Sequence, residues 1–275
     1  MNQKVERSQL AYDAIAAAEK NTRPVDVRGQ GGTLLAMEDV NVSFDGYKAI
    51  NDLNFYVNDG ELRCVIGPNG AGKTTMMDII TGKTRPDSGT VTFADNINLL
   101  KMSEPNVAEA GIGRKFQKPT VFEALTVYQN LELAASGNRG PWSLLQLPLN
   151  AEQKDKIQQV AATTGLADSL TSDASTLSHG QKQWLEIGML LMQNPSLLLV
   201  DEPVAGMTHQ EMDKTAELLI SLAGHHTVVV VEHDMDFVRS LNSRVTVLHQ
   251  GSVLAEGAMQ DIQNNQDVVR VYLGE

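Results

Sequence analysis

The spacing of apolar residues changes several times along the chain, and each spacing predicts a different kind of element. Apolar and polar residues alternate in LLAMEDVNVSF and INDLNFYV, between positions 34 and 57, which predicts two strands of an antiparallel pair. The almost wholly apolar runs LLLV and VVVV, at 197–200 and 228–231, are typical of a parallel sheet that is covered on both faces. The predicted fold class is α/β, with a mostly parallel core sheet, helices on both of its faces and an antiparallel β subdomain.

Helical spacing dominates the middle of the chain, at about residues 118–193. The segments TVYQNLELAAS, NAEQKDKIQQVAATTG and QKQWLEIGMLLMQ follow one another there with no strand pattern between them. Strands and helices alternate again after Pro195. We therefore predict an inserted α-helical subdomain within an α/β domain that covers residues 33–275. We also predict a flexible tail at residues 1–32, which are mostly polar and end in a linker-like segment.

Composition and charge disfavour some classes of function. The 22 lysines and arginines face 34 aspartates and glutamates, so the formal net charge is -12. Such a charge repels nucleic-acid backbones, and no nucleic-acid partner is expected. No apolar run approaches the ~20 residues of a membrane-spanning helix, so any membrane role is expected to be peripheral. Cys64, the only cysteine, lies in ELRCVIG at an expected buried strand position and fits a reducing compartment.

The most specific motif follows the predicted strand LRCVIG. GPNGAGKTT fits the pattern G-x-x-x-x-G-K-[ST] and precedes a predicted helix from Lys73 to Thr81, as a phosphate-binding loop requires. Backbone N–H groups of such a loop surround a β-phosphate, Lys73 reaches the β- and γ-phosphates, and Thr74 offers a hydroxyl to Mg²⁺. Thr75 is expected at the α-phosphate. The predicted nucleotide-binding loop comprises Gly67, Pro68, Asn69, Gly70, Ala71, Gly72, Lys73, Thr74 and Thr75.

Polar residues follow two of the predicted buried strands. Asp201 and Glu202 come directly after LLLV, and His233 follows VVVV in VVVVEHD. The carboxyl ends of parallel strands meet at one edge of a sheet, where ligands of such folds bind. Asp201 can hold the Mg²⁺ shell through water, Glu202 can act as general base on an attacking water, and His233 can donate a hydrogen bond to a γ-phosphate.

The segment LSHGQ allows two interpretations. Ser178, with Gln181 three residues later, has the pattern of a capping box that begins a helix. A helix N-terminus also suits an anion, since its N–H groups point outward and the helix dipole is positive there. Both interpretations require the same geometry, in which a helix begins at Ser178.

The motifs GPNGAGKTT, KFQKP, LSHGQ, LLLVDEP and EHD stand in the order typical of the ATP-binding cassette (ABC) ATPases, and the chain resembles that family from Leu34 to Glu275. The resemblance implies a P-loop NTPase core that binds ATP and Mg²⁺ and hydrolyses ATP. It implies that Gln117 contacts Mg²⁺ and the attacking water, and that Phe44 stacks on adenine, with Tyr47 as the alternative. It also implies a signature segment that binds the ATP of the opposite protomer. In this chain that segment is Leu177, Ser178, His179, Gly180 and Gln181.

Two residues depart from the commonest pattern of that family. His179 replaces a glycine of the signature, which predicts a less comfortable backbone if the position needs a positive φ. We expect a tolerated bulky variant rather than a catalytic group. Thr208 stands where an aspartate is frequent, and with Glu211 it has the spacing of a second capping box.

Within the family, the chain is similar to ATPases of importers for hydrophobic amino acids and amides, and residues 177–208 look most like the ATP-binding subunit of a urea importer. This resemblance implies a peripheral ATPase on the cytoplasmic side of the membrane. Its partners would be membrane permease subunits, a second ATPase subunit in a homo- or heterodimer and, indirectly, an external substrate-binding protein. Two alternatives stay open from the sequence: an export ATPase for lipid or lipopolysaccharide, and a soluble ABC ATPase that takes no part in transport.

Overall fold

The structure is a computed structural model that describes residues 32–115, 121–135 and 149–273. The prediction for Gln117, and that for all but the last residue of the tail at 1–32, lie outside these described residues. The described residues divide into two compact units. One unit holds those within Lys115–Pro195 and Val204–Ser221, and the other holds those before Lys115, within Ser196–Pro203 and from Leu222 onward.

Strands form most of the second unit, and they belong to two sheets. The described strands are β1 (Thr33–Phe44), β2 (Tyr47–Asn58), β3 (Leu62–Ile66), β4 (Ser88–Phe93), β5 (Ile97–Asn98), β6 (Ile112–Lys115), β7 (Leu197–Asp201), β8 (Thr227–Val231), β9 (Arg244–His249) and β10 (Ser252–Ala258). One sheet has the order β10-β9-β3-β8-β7-β6; β3 pairs in parallel with β8 and β9, and β7 with β8, whereas β10 is antiparallel to β9. The other sheet is antiparallel, in the order β2-β1-β4-β5. The predicted combination of a mostly parallel sheet with an antiparallel subdomain is confirmed.

Helices occur in both units. The described α-helices are α1 (Lys73–Ile80), α2 (Glu104–Glu109), α3 (Val127–Ala135), α4 (Ala151–Thr163), α5 (His179–Leu191), α6 (His209–Leu222), α7 (Met235–Ser240), α8 (Met259–Asn264) and α9 (Gln266–Leu273), and short 3₁₀ helices cover Leu99–Lys101, Ala167–Ser169 and Ala174–Thr176. No helix in the described part of the chain is long and apolar enough to cross a membrane. The strand β6 was not predicted, because it is short and begins with glycine-rich sequence.

Apolar side chains of both sheets and of α1 form one core in the second unit. Every residue of β7 and of β8 is buried, as expected for central strands of a parallel sheet. Cys64 lies in β3 and is fully buried, which confirms its predicted strand position, and the Ser243 hydroxyl lies 3.2 Å from its Sγ. The candidate catalytic residues Asp201, Glu202 and His233 lie at or just beyond the carboxyl ends of these buried strands.

In the first unit, α3, α4 and α5 pack against one another, and α6 lies beside α5. Trp184 of α5 is buried and donates from Nε1 to the Thr215 hydroxyl of α6 at 2.9 Å. The Lys214 ammonium lies 5.7 Å from the centre of the same indole ring. These contacts fix the start of α5, where the signature segment lies, relative to the start of α6.

Candidate functional site

The phosphate loop connects the end of β3 to the start of α1. Gly72 is the N-cap of α1, with φ of 101°, and no side chain caps the helix there. A Cβ on Gly72 would lie 2.7 Å from the carbonyl oxygen of Ala49, so both the backbone angle and the close approach require glycine. The first N–H groups of α1 therefore lack a side-chain acceptor and are suited to a phosphate.

Lys73, the first residue of α1, folds back over this loop. Its Nζ donates to the carbonyl oxygens of Gly67 at 2.6 Å and Pro68 at 3.1 Å. Partial burial lowers the pKa of Lys73, and the negative charges of Glu202 and Asp201 oppose that shift. The structure thus brings the loop lysine within electrostatic reach of both acids that follow β7, as the sequence predicted.

The residues at this edge of the sheet fit a magnesium ion bound together with a nucleotide. Thr74 offers a hydroxyl from α1, and Asp201, which is 5 % exposed, offers a carboxylate from the end of β7. Mg²⁺ prefers such oxygen ligands, and it is usually held by one or two carboxylates together with substrate phosphates. Within the described residues there is no cluster of three or more metal-binding side chains. This donor set matches a nucleotide-bound Mg²⁺ rather than a metal held by the protein alone.

Glu202 and His233 lie near each other beyond the ends of β7 and β8. The Nδ1 of His233 is 3.7 Å from Oε1 of Glu202, a separation longer than a hydrogen bond. Both side chains reach solvent, with 65 % of the His233 side chain and 28 % of the Glu202 side chain exposed. Glu202 also has φ of 44°, which is unusual for a residue with a side chain and is typical of functional sites. The pair can therefore act on a water or a phosphate in a solvent-accessible position.

Two aromatic residues stand at the turn between β1 and β2. Phe44 pairs with Tyr47 across the turn, and both rings are about half exposed or more. The Tyr47 hydroxyl donates to the carbonyl oxygen of Gly70 at 3.4 Å, so this ring touches the phosphate loop. Both aromatics predicted for adenine are thus on one turn, and the described contact with the loop belongs to Tyr47.

The signature segment begins α5, and its capping box is present. Ser178 is the N-cap: its Oγ accepts from the N–H of Gln181 at 3.2 Å, and Gln181 Oε1 accepts from the N–H of Ser178 at 2.9 Å. His179 is the first helical residue and has no positive φ. The condition under which His179 would strain the backbone, a positive φ, is not met, because a helix start has ordinary helical angles.

Glu211 of α6 contacts the signature segment directly. Its Oε1 accepts from the Ser178 hydroxyl at 2.8 Å, and the backbone N–H of Gly180 also donates to this carboxylate. Glu211 accepts from the N–H and hydroxyl of Thr208 as well, at 3.0 and 2.9 Å, and Thr208 Oγ1 accepts from the Glu211 N–H at 3.4 Å, so the second capping box is also confirmed. Hydrogen bonds from the Thr208 backbone and from Ser178 lower the pKa of Glu211.

Sequence reasoning missed three contacts of the candidate residues. Arg114 of β6 contacts Asp201, Glu211 contacts Ser178, and Glu232 accepts from the N–H of His233 at 2.9 Å. Glu232 was visible as a polar residue within VVVVEHD, between the strand and the histidine. The other two contacts join residues that are far apart along the chain, and no local pattern indicates them.

A phosphate loop after β3, together with one carboxylate at the end of β7 and a second directly after it, on one mostly parallel sheet, defines a P-loop ATPase. A family model described as ABC transporter matches residues 50–205, and one described as branched-chain amino acid ATP-binding cassette transporter matches residues 252–275. The chain belongs to the ABC transporter family, as an ATP-binding subunit that uses Mg²⁺ and hydrolyses ATP.

The chain is similar to known proteins over nearly the whole length of those proteins. The high-affinity branched-chain amino acid transport ATP-binding protein LivG of Escherichia coli is 36% identical over 251 residues, which cover 88% of this chain and 98% of that protein. BraF of Pseudomonas aeruginosa, described in the same words, is 32% identical with the same coverage of both chains.

Solved structures give the same fold. The ADP conformation of MJ1267, an ATP-binding cassette of an ABC transporter, has a TM-score of 0.78 at 29% identity and covers 89% of this chain and 100% of that one. The dimeric structure of MJ0796, a bacterial ABC transporter cassette, has a TM-score of 0.68 at 26% identity, covering 82% and 98%. The predicted P-loop NTPase fold class is confirmed.

Proposed function

We propose that this chain is a peripheral ATPase that powers a membrane importer from the cytoplasmic side. The observation that carries the proposal is the position of Lys73, a half-buried ammonium at the uncapped start of α1, within electrostatic reach of Asp201 and Glu202. That arrangement concentrates positive charge where phosphates bind and negative charge where a metal and an attacking water are needed.

The residues of the site divide the work of hydrolysis. The phosphate loop binds and orients the nucleotide, and the aromatic turn beside it offers Phe44 or Tyr47 to adenine. When bound, Mg²⁺ neutralises charge on the β- and γ-phosphate oxygens, and Thr74 and Asp201 would hold it. Glu202 accepts a proton from the attacking water, and His233, 3.7 Å from it, donates a hydrogen bond to the γ-phosphate. Gln117 is assigned by family resemblance alone.

The signature segment serves the nucleotide of a second ATPase subunit. Its helix begins at Ser178 with Gly180 in the first turn, and such a helix start suits a γ-phosphate from the opposite protomer. The dimer of the similar cassette MJ0796 supports this arrangement. ATP would then join two protomers, and hydrolysis would release them. The second subunit is either another copy of this chain or a related ATPase.

Two transported substrates are candidates. Urea is favoured by the sequence of residues 177–208, and branched-chain amino acids are favoured by the printed names of the relatives matched at nearly full length. The described site is built to bind a nucleotide, so the permease and an external binding protein would select the transported solute. The lipid-export and non-transport alternatives have less support, because these relatives are named as amino acid transport proteins.

Reconstitution tests the function. The chain is to be placed in proteoliposomes with its permease subunits and binding protein, and ATP hydrolysis is to be measured with leucine, with urea and with no solute. We expect one solute to stimulate hydrolysis and its own uptake, and Lys73→Ala to abolish both. Stimulation by leucine alone would contradict the urea prediction, and equal hydrolysis with leucine, with urea and with no solute, without uptake, would contradict import of either solute.

A further inference from the structure

Arg114 forms a bridge between two carboxylates beside the candidate magnesium site. Its Nη1 lies 2.5 Å from Asp78 Oδ1, and its Nη2 lies 3.3 Å from Asp201 Oδ2. The side chain of Arg114 is 5 % exposed, and those of Asp78 and Asp201 are 15 % and 7 % exposed. The planar guanidinium can serve two acceptors at once because its donors diverge in a fixed geometry.

The two carboxylates belong to the two elements that carry the proposed magnesium ligands. Asp201 is the last residue of β7 and is itself one of those ligands. Asp78 lies four residues after Thr74 on α1, so both residues are on the same face of that helix. Arg114 therefore links the helix that presents the Thr74 hydroxyl to the strand that presents the Asp201 carboxylate.

The local charges show why such a link matters. A buried carboxylate is costly to keep ionised unless a positive group pairs with it. Asp78 is also paired with Lys83, whose Nζ is 3.2 Å from Oδ2, but the Lys83 side chain is 54 % exposed and that pair is open to solvent. Arg114 is the buried cation that contacts both acids.

We propose that Arg114 is a positioning residue for the magnesium site, which holds the Asp201 carboxylate in register with Thr74. The proposal rests on the function proposed above, in which Thr74 and Asp201 hold Mg²⁺. Arg114 acts only through Asp201 and Asp78 and has no direct part in hydrolysis.

Metal affinity, measured apart from hydrolysis, separates positioning from a merely structural role. Loss of a partner that orients a metal ligand costs about 10–100-fold in metal affinity. We expect Arg114→Met to weaken Mn²⁺ binding by about tenfold or more in the presence of a non-hydrolysable ATP analogue, as measured by electron paramagnetic resonance. The affinity for a fluorescent ATP analogue in EDTA should change less than about twofold, because no metal is then held.

A matched control and a conservative variant complete the test. Arg239→Met removes an exposed arginine that pairs with Asp236 on the surface, and it should change neither affinity. Arg114→Lys keeps the positive charge but lacks the planar guanidinium that donates to two carboxylates at once. We therefore expect a smaller, but still severalfold, loss of Mn²⁺ affinity. If Arg114→Met does not fold, as judged by its thermal transition without nucleotide, Arg114→Lys decides the question by the same two measurements.

Equal losses with and without metal, or no loss of Mn²⁺ affinity, would overturn the positioning role. If that result is obtained while the unmodified protein binds nucleotide in a metal-dependent manner and Lys73→Ala does not, then this inference alone is contradicted. Absence of metal-dependent nucleotide binding in the unmodified protein contradicts the proposed function and this inference together.

Discussion

The Ser178 hydroxyl donates a 2.8 Å hydrogen bond to the carboxylate of Glu211, which lies 33 positions later in the chain. The same hydroxyl is the group that the proposed function assigns to the γ-phosphate of the opposite protomer. A carboxylate and a phosphate are both anions that accept hydrogen bonds, so they compete for one donor. The Ser178 hydroxyl of the signature segment thus has an acceptor within its own chain.

Replacing Glu211 by glutamine is expected to ease formation of the ATP-bound dimer. The amide keeps nearly the same shape but lacks the charge, and hydrogen bonds to charged groups exceed neutral ones by about 1 kcal/mol. We expect the ATP concentration for half-maximal dimerisation to fall on the order of fivefold, measured by light scattering in a Glu202→Gln background. Glu217→Gln, an exposed change on the same helix, should have no effect. An unchanged or higher ATP requirement contradicts the competition.

The Glu211 contacts also predict a dependence of stability on pH. Hydrogen bonds from Thr208 and Ser178 lower the pKa of Glu211 in the folded protein. A lowered folded-state pKa contributes stability above the unfolded value of about 4.3, and this contribution is lost as pH falls through the folded value. The thermal midpoint of the unmodified protein should therefore exceed that of Glu211→Gln near neutral pH, and the gap should narrow below about pH 4. A gap that stays constant on acidification would refute this account.

Gly180 is expected to tolerate no side chain without a functional cost. A Cβ there would lie 2.6 Å from Glu211 Oε1, at the place where an anion meets the start of α5. Gly180→Ala should lower ATP hydrolysis by about tenfold or more, because a Cβ there would keep the phosphate from the N–H groups of the helix start, and loss of contact with one oxyanion donor costs at least that much. The thermal midpoint should change little, because alanine favours a helix by about 1 kcal/mol and the glutamate side chain can move. Adding Glu211→Ala relieves the clash, and recovery of full activity in that double variant would contradict obstruction of a phosphate.

Glu202→Gln is expected to abolish hydrolysis while leaving nucleotide binding intact. The amide cannot accept the proton of the attacking water, and general-base catalysis contributes about a hundredfold or more. The variant should bind a fluorescent ATP analogue with normal affinity and should accumulate as a dimer with ATP on gel filtration. Hydrolysis at the rate of the unmodified protein would assign the base elsewhere.

The single cysteine predicts a second pH effect, at the alkaline end. Burial raises the pKa of the Cys64 thiol to about 11. The stability that this shift represents is fully present below the unfolded value of about 8.5 and is lost as pH rises towards the folded value. Cys64→Ala should show a shallower fall of the thermal midpoint across that range. Ellman's reagent at about pH 8 should react with Cys64 only after unfolding in guanidinium chloride, and rapid reaction of the native protein would show that the thiol is accessible.

Local patterns were sufficient for much of the fold and for the motifs. The alternation in β1 and β2, the apolar runs of β7 and β8 and the loop before Lys73 each carry their structural signal within a few residues. The capping boxes at Ser178 and Thr208 were predictable for the same reason, since each involves residues three positions apart. Hydrophobic period and cap chemistry act locally, so a single sequence displays them.

Contacts between distant positions were not predictable. Arg114 is 36 positions from Asp78 and 87 from Asp201, and an arginine in a short strand gives no signal that it will be buried. The competition between Glu211 and a phosphate for the Ser178 hydroxyl depends on how α5 and α6 pack. That packing cannot be predicted from the sequence of either helix alone. The sequence does not decide the backbone angles at His179, because a deviation from a family pattern does not by itself say whether the position needs a positive φ.

The backbone of Glu202 has a consequence for protein engineering. At φ of 44° a glutamate is held in a conformation that glycine or asparagine adopts more readily. Glu202, the proposed general base, is therefore also a residue whose side chain is not the one that its backbone conformation favours. A selection for thermostability that ignores activity should enrich glycine or asparagine at position 202. The selected proteins would be more stable but would not hydrolyse ATP.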